Sequence, residues 1–466
     1  MFYISIVMSF KLKYLFIVFC CITFSFSLKA DHYLGANISY KSLGGFTYEY
    51  TVIAYTATDH PQSDKDLLTL FCGDGRQVAL SRVNGSGTLV NADILKSIYK
   101  GQHTYLEEGN FKVYISEPFR HASIANINSG KSAIKKMYIS AVLPVYADVS
   151  VCVNNSAEYQ MDPVFYAYQG VEYSTGFGLF DSDGDSLSFE ITDCKGSNGL
   201  TVENYFIPSD VTVNPRTGIL KWTNPLKGIY SFSMMVSEFR KGKKIGVSAV
   251  DFLIFVSNEF STAPVFSIDP QFVAGELSIN PGDVLKYGSS ISLSGTHTIS
   301  YSTWNNTGAV VSNNPVFTSS SVTDTIQWTT LLSDGRAAPY IFVYRFSITE
   351  SGKQLQKDFA VLVNVVGNQV VSCTVPDISI TEKVPPELFE YTVSPTAFTD
   401  GVYVNTGSSP GDFKIFIYDI QGKEIEAFSN FAQQTVFLDL AHLSSAVYVL
   451  VMWKDNTKIV TRIVKL

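Results

Sequence analysis

Apolar and polar positions alternate, or nearly so, in short stretches along the whole chain. Examples are Phe46-Thr-Tyr-Glu-Tyr-Thr-Val-Ile53, Phe111-Lys-Val-Tyr-Ile115 and Met137-Tyr-Ile-Ser-Ala-Val-Leu143, while Phe252-Leu-Ile-Phe-Val256 is apolar throughout. A period of two turns one face of an extended chain to a core and the other to water, so each stretch predicts a strand. Gly, Asn, Asp and Pro punctuate the strands at short intervals, the mark of β-sandwiches. Ala92–Tyr99 is the one stretch that reads as helical. The fold class expected is all-β: tandem β-sandwiches followed by a small C-terminal β-sandwich. At 466 residues several domains are needed, at about 100–200 residues each. Boundaries are expected near Tyr146, near Ser261 and around Asn368–Glu387. They give segments 31–147, 148–260 and 261–368, a linker 369–388 and a tail 389–466.

Lys11 and Lys13 precede the uncharged run Tyr14–Leu28, with Ala30 before Asp31. Basic residues, an apolar core and a small residue at the cut predict a signal peptide over 1–30. The run is shorter than the roughly 20 residues of a spanning helix, and no other stretch is apolar enough to cross a membrane. Met8 is a more ordinary start than Met1. Cys20 and Cys21 lack the small residues that lipidation needs before them. The mature chain then has Cys72, Cys152, Cys194 and Cys373. Too few to frame the fold, they allow three connectivities. Cys152–Cys194 is the expected pair, because both fall in one segment; free buried thiols are the alternative.

A formal charge of −8 and a pI near 5.3 argue against nucleic acid as a partner. Aromatics are 14% of the chain, which suits cross-strand packing in sheets and also sugar-stacking surfaces. No Gly-x-Ser-x-Gly elbow, His-Glu-x-x-His helix or phosphate loop occurs. The six histidines are scattered, and no pair of acids stands out, so a non-enzyme is expected.

In the first segment, Cys72-Gly-Asp-Gly75 is followed by His103-Thr-Tyr-Leu-Glu-Glu-Gly-Asn-Phe-Lys-Val113. This pairing resembles PKD-type sandwiches, with Cys72 where Trp is common. Asp74 and its glycines suit a tight turn, and His103 is expected to bond a nearby loop. His32–Tyr40 and Arg120-His-Ala-Ser-Ile-Ala-Asn-Ile127 resemble large surface proteins of gliding Bacteroidetes.

The second segment carries Asp181-Ser-Asp-Gly-Asp-Ser-Leu187, then Asn214-Pro-Arg-Thr-Gly-Ile-Leu220, Gly228-Ile-Tyr-Ser-Phe232 and Val236-Ser-Glu-Phe-Arg-Lys-Gly-Lys243. The order resembles a cadherin-like or Ig-type domain. Three carboxylates within five residues repel unless a cation or hydrogen-bond donors compensate them. Asp181, Asp183 and Asp185 are therefore candidate calcium ligands, since Ca²⁺ takes several oxygens, and Glu238 is a candidate fourth. The Gly position does not suit an EF-hand. The alternative is an Asx-type turn whose carboxylates accept backbone N–H groups. In the third segment, an Ig-like sandwich by default, Trp304 and Trp328 are candidates for sugar platforms or for core.

The tail holds Tyr418-Asp-Ile-Gln-Gly-Lys423, Leu438-Asp-Leu440, Leu443-Ser, Val447-Tyr-Val-Leu450 and the closing Ile463-Val-Lys465. This order resembles the type A sorting domain of the Bacteroidetes type IX secretion system. It departs at Ser394-Pro395-Thr396, where the family has Pro-Asn-Pro, and at Ala446, where it has Gly. The resemblance implies the type IX secretion machinery as a partner and a secreted or outer-membrane surface location reached via the periplasm. The expected function is an exported surface adhesion or interaction protein, with an undetermined surface protein or glycan as ligand. The alternatives are a carbohydrate-binding accessory protein, which needs a row of exposed aromatics, and a hydrolase with an unrecognised site, which needs a deep pocket.

Overall fold

The computed structural model describes residues 33–466 apart from 60–64, 128–130, 147–150, 259–264, 274, 296, 306, 308–311, 314, 337, 351–352, 368–373, 376–391, 406–412, 422, 430–434 and 455–456. The expected signal peptide and most of the expected linker lie outside the described residues. The described residues are all-β, with single 3-10 turns at Ser197–Gly199 and Leu332–Asp334. They form two compact units. One is a body made of Gln77–Ile378 with the chain before Gly73; the other is a tail built on Ser379–Leu466.

The expected helix at Ala92–Tyr99 is instead part of the strand Ile94–Thr104. That strand is paired on one side with Thr47–Ala57, and on the other with Gln77–Arg82 and Thr88–Asn91. Ile94, Ser97 and Tyr99 are buried while Lys100 is exposed. Sheet neighbours on both edges outweigh a short run's helical preference.

The strand Lys243–Ser257 holds the body together. Its burial is almost continuous. Val250, Phe252, Ile254 and Val256 enter one core, while Leu253, with Phe255 against it, enters a second core on the opposite face. A strand covered on both faces has no water for its peptide groups, so both edges must be paired. Gly228–Arg240 covers one edge from end to end. Three strands share the other edge: Met137–Val145 at Val247 and Ser248, Tyr33–Gly44 at Val250 and Asp251, and Val164–Tyr168, in parallel, from Leu253 to Ser257. From Met137–Val145 the sheet runs on through Gly109–Glu117, Leu67–Phe71, Gln77–Arg82, Ile94–Thr104 and Thr47–Ala57, back to Tyr33–Gly44. The first segment thus closes on a strand of the second. The position near Tyr146 divides the sequence but not the packing. Gly35 marks the closest approach, for a Cβ there would strike the Asp251 carbonyl oxygen.

A buried polar network lies under this crossing. Arg120, 2% exposed, pairs with Asp251 and donates to the Lys195 carbonyl at 2.8 Å and the Lys136 carbonyl at 3.2 Å. The Ser231 hydroxyl donates to Asp251 at 3.0 Å, and Asn126 bonds the Ser231 backbone through both its amide nitrogen and its oxygen. The stretch Arg120–Ile127 therefore supplies the cation and the amide that satisfy the second segment's interior.

The third segment sets the sheet Val265–Ile268, Val284–Ser292, Ser321–Thr329, Ser312–Asn313 against the sheet Glu276–Ile279, Lys353–Val365, Tyr340–Glu350, Thr298–Asn305. Its core is continuous with that of the second segment, joining Phe165, Trp222 and Phe252 to Tyr287, Trp328 and Tyr344. Buried Asp358 ties the two. It pairs with Arg345 at 2.7 Å and accepts from the Gly176 N–H at 2.9 Å and the Thr175 hydroxyl at 3.1 Å.

The expected Cys152–Cys194 bridge does not form. Cys194 is a free thiol among Leu34, Tyr55 and Val164, whereas Cys152 packs with Val142, Ile245 and Val375. The two cysteines belong to different cores. Cys152 is in a disulfide whose partner lies outside the described residues, and its N–H donates to the Thr374 carbonyl at 2.9 Å. Cys72 is buried, and the Tyr105 hydroxyl donates to its carbonyl at 3.0 Å.

The tail has its own core of Phe398, Val402, Val404, Phe413, Ile415, Ile417, Leu438, Leu450 and Ile463 among others. Thr392–Ser394, Gly401–Asn405 and Thr435–Asp439 form one sheet; Ala397–Phe398, Thr457–Lys465, Val447–Lys454, Phe413–Asp419 and Glu424–Phe428 form the other. In the Tyr418–Lys423 motif, Asp419 Oδ1 accepts from the N–H groups of Gln421 and Lys423, both at 2.9 Å. This Asx turn sets the hairpin. Ala446 needs no left-handed backbone, since positive φ among described non-glycine residues falls elsewhere.

Removing one partner of a buried ion pair strands the other, at a cost of about 3–5 kcal/mol. Asp251→Ala should lower body stability by about that much, and the apolar double change Arg120→Met with Asp251→Leu should recover most of it. Chemical denaturation of the three proteins checks this; equal stabilities for Asp251→Ala and wild type would refute it.

Candidate metal centre

The loop Asp181–Asp185 joins the strands Leu179–Phe180 and Ser186–Thr192. Gly184 adopts φ 77°, which a side chain resists, and the turn brings the three acids together. Asp181 Oδ1 accepts from the N–H groups of Asp183 and Asp185, both at 3.0 Å. Asp183 accepts from the Asn155 N–H at 2.7 Å and from its side-chain amide at 2.8 Å. One carboxylate oxygen from each of Asp181, Asp183 and Asp185 lies within 4.8 Å of the others.

Two further residues on the strand Gly228–Arg240 complete the site. Arg240 grips Asp185 with two bonds of 2.6 Å and reaches Asp183 at 3.2 Å. Glu238, fully buried, accepts from the Ala157 N–H at 2.9 Å and from the Asn154 amide at 2.5 Å. Glu238 thus satisfies both its oxygens on protein donors. It contributes charge to the site more than a vacant ligand atom. A side chain at Gly246, across the sheet from Glu238, would run into that carboxylate. Arg240 was not anticipated as a site residue. The signal was its spacing from Glu238: in a strand, i and i+2 share a face.

The charges do not balance. Four carboxylates face one guanidinium, and Asp181 Oδ2 is buried without a partner in the protein. Arg336 of the third segment is near enough to feel Asp181 and Asp185, and two of its donors go to the carbonyls of Ala338 and Pro339. Burial, with repulsion from Asp185 and Asp183, pushes the Asp181 carboxyl up to about 7. Burial and then Asp181 push Glu238 up to about 8. Burial also raises Asp185, against the pull of Arg240. This donor set fits a hard cation: the oxygens are carboxylates, one is orphaned, and negative charge is left over.

The other sequence candidates lie elsewhere. His103 packs edge-on to Tyr105 with ring centroids 4.7 Å apart. Trp328 is core, 1% exposed, against Tyr340 and Phe342. Trp304 is half-buried under the Arg345 guanidinium. Among the described residues of the body, the exposed aromatics are Phe119, Phe206 and Phe317, which are far apart in the chain.

Residues 392–466 match the family described as the secretion system C-terminal sorting domain, so the tail is a sorting domain. No curated protein matches the chain. Among solved structures, a Bacteroides fragilis protein described as a candidate alpha-galactosidase is 13% identical with a TM-score of 0.17, over 22% of this chain and 17% of that one. A three-domain immunoglobulin fragment of titin is 10% identical with a TM-score of 0.15, over 66% of this chain and 96% of that one. A Dscam structure is 10% identical with a TM-score of 0.19, over 89% and 94%. Likeness at these TM-scores bears on neither fold nor function. No helix among the described residues is long and apolar enough to cross a membrane.

Asp181 and Glu238 hold protons in the folded state that the unfolded chain releases near pH 4. In chelator, stability should therefore fall as pH rises from about 4 through 7–8, by up to about 1.4 kcal/mol per pH unit for each acid. Melting temperatures from pH 5 to pH 8 check this. A flat or rising trend, or an unchanged slope in Asp181→Asn, would count against it.

Proposed function

We propose that this is an exported surface or secreted interaction protein. The tail addresses it to the type IX route, and the body presents loops and sheet faces to a surface protein or glycan. The observation that carries this reading is the sorting domain over 392–466, closed around a core of its own. The assignments of PKD-like and cadherin-like modules, and kinship with gliding surface proteins, belong to the same proposal. So does a non-catalytic role. In its support, the buried polar groups around Asp251 and around Asp358 are spent on hydrogen bonds that hold the fold. Deleting 392–466, or the secretion pore of the host, should retain the protein in the periplasm. Surface labelling that is unchanged in both strains would end the reading.

A calcium ion held by Asp181, Asp183 and Asp185 is part of this proposal. The orphaned Asp181 Oδ2 and the uncompensated charge support it. Bound Ca²⁺ would supply the missing positive charge. Asn155 and Arg240 orient Asp183 and Asp185, while the Asp183 and Asp185 N–H groups fix Asp181. At a hundredfold excess over Kd, calcium should stabilise chelator-stripped protein by about 2.7 kcal/mol. Asp181→Asn, which keeps Oδ1 as an acceptor, should abolish the gain. A wild-type melt that does not move on adding millimolar Ca²⁺ rejects the ion.

A further inference from the structure

A cleft of about 500 Å³ opens between the second and third segments, within the size range of small-ligand sites. Phe266 and Phe359 form one wall, half-buried and stacked at 4.0 Å with 12° between ring planes. Val213 and Ile219 also line it. At the rim stand two ion pairs, Lys221–Glu172 at 2.8 Å and Arg216–Glu276, with side chains 34–51% exposed. Deeper in, Asp358 is already neutralised by Arg345.

We infer that this cleft binds a neutral saccharide. Three features select that class. The aromatic and aliphatic walls suit the C–H faces of a pyranose ring and disfavour a small hydrated ion. Both exposed rim cations already have a carboxylate partner, Glu172 holding Lys357 as well at 3.6 Å, so an anionic ligand would have to displace a carboxylate from them, which favours an uncharged one. Each pair also sets a donor beside an acceptor about one hydrogen-bond length away. Adjacent hydroxyls of a sugar, each donor and acceptor, meet that pattern. The inference goes beyond export: binding is read on purified protein, so its failure leaves the localisation result untouched.

The test is a panel of neutral oligosaccharides (cello-, malto-, xylo-, manno- and galacto-series) at millimolar concentration against the full-length chain. Saturation-transfer NMR finds binders and calorimetry gives Kd. At least one series should bind. The variant Arg216→Ala with Lys221→Ala should weaken it about tenfold or more with an unchanged melting temperature, as expected of exposed positions. Silence across the panel overturns the inference. So does binding that the double variant leaves intact, tighter binding of uronic-acid oligomers than of neutral ones, or capture of an extended peptide with no sugar bound.

Discussion

The body depends on a strand that has no exposed face. Lys243–Ser257 is covered on both sides, and a peptide group shut away from water must be bonded within the protein. One neighbour fills one edge, and no single strand fills the other. Three short pairings from two segments do so in turn. Each is weak alone, and together they fix where the first segment sits against the second. Asp251 lies at the middle of that edge, opposite Ala36. Arg120 is therefore the cation that lets a carboxylate stand under a crossing of strands.

The acidic site inherits its geometry from the same hairpin. Gly228–Arg240 and Lys243–Ser257 meet at Lys241 and Gly242, both with positive φ, the two-residue turn that matches strand twist. Because the hairpin is paired along its length, Glu238 and Arg240 project from a fixed backbone. The loop Asp181–Asp185 then closes onto them. Asn154 and Asn155 link this cluster to the first strand: the Asn154 amide donates to the Tyr40 hydroxyl at 2.9 Å, and Asn155 accepts from the Ser42 N–H at 2.9 Å.

Much of this was legible in the sequence, for a physical reason. Period-two patterns report the face a strand buries, and turn residues report where it stops. Strand content and the self-contained tail follow from those signals. What a strand pairs with leaves almost no mark on it. Phe252-Leu-Ile-Phe-Val256 reads as one apolar run, and nothing in it says that the same strand pairs, at Val247, Ser248, Val250 and Asp251, with strands from before residue 146. The cysteine expectation failed for the same cause: nearness along the chain put Cys152 and Cys194 in one segment, but the fold packs them into separate cores, Cys152 with Val142 and Val247 and Cys194 with Leu34 and Leu253. Ala92–Tyr99 reads as helical taken alone because its strand is defined by three partners, all outside the run.

The three aspartates were legible because like charges crowded into five residues demand compensation wherever they fold. Their compensators were less so, since Arg240 and Asn155 come from distant parts of the chain. The structure shows how far protein groups go in meeting that demand. Arg240 answers Asp185 and part of Asp183, Asn155 answers the rest of Asp183, and backbone N–H groups answer one oxygen of Asp181. Asp181 Oδ2 and the charge of Glu238 remain. In a buried site that remainder has two outlets, a proton or a cation, and the two compete for the same oxygens. Raised carboxyl affinities for protons and an affinity for a hard cation are therefore one property of this loop, seen under different solution conditions.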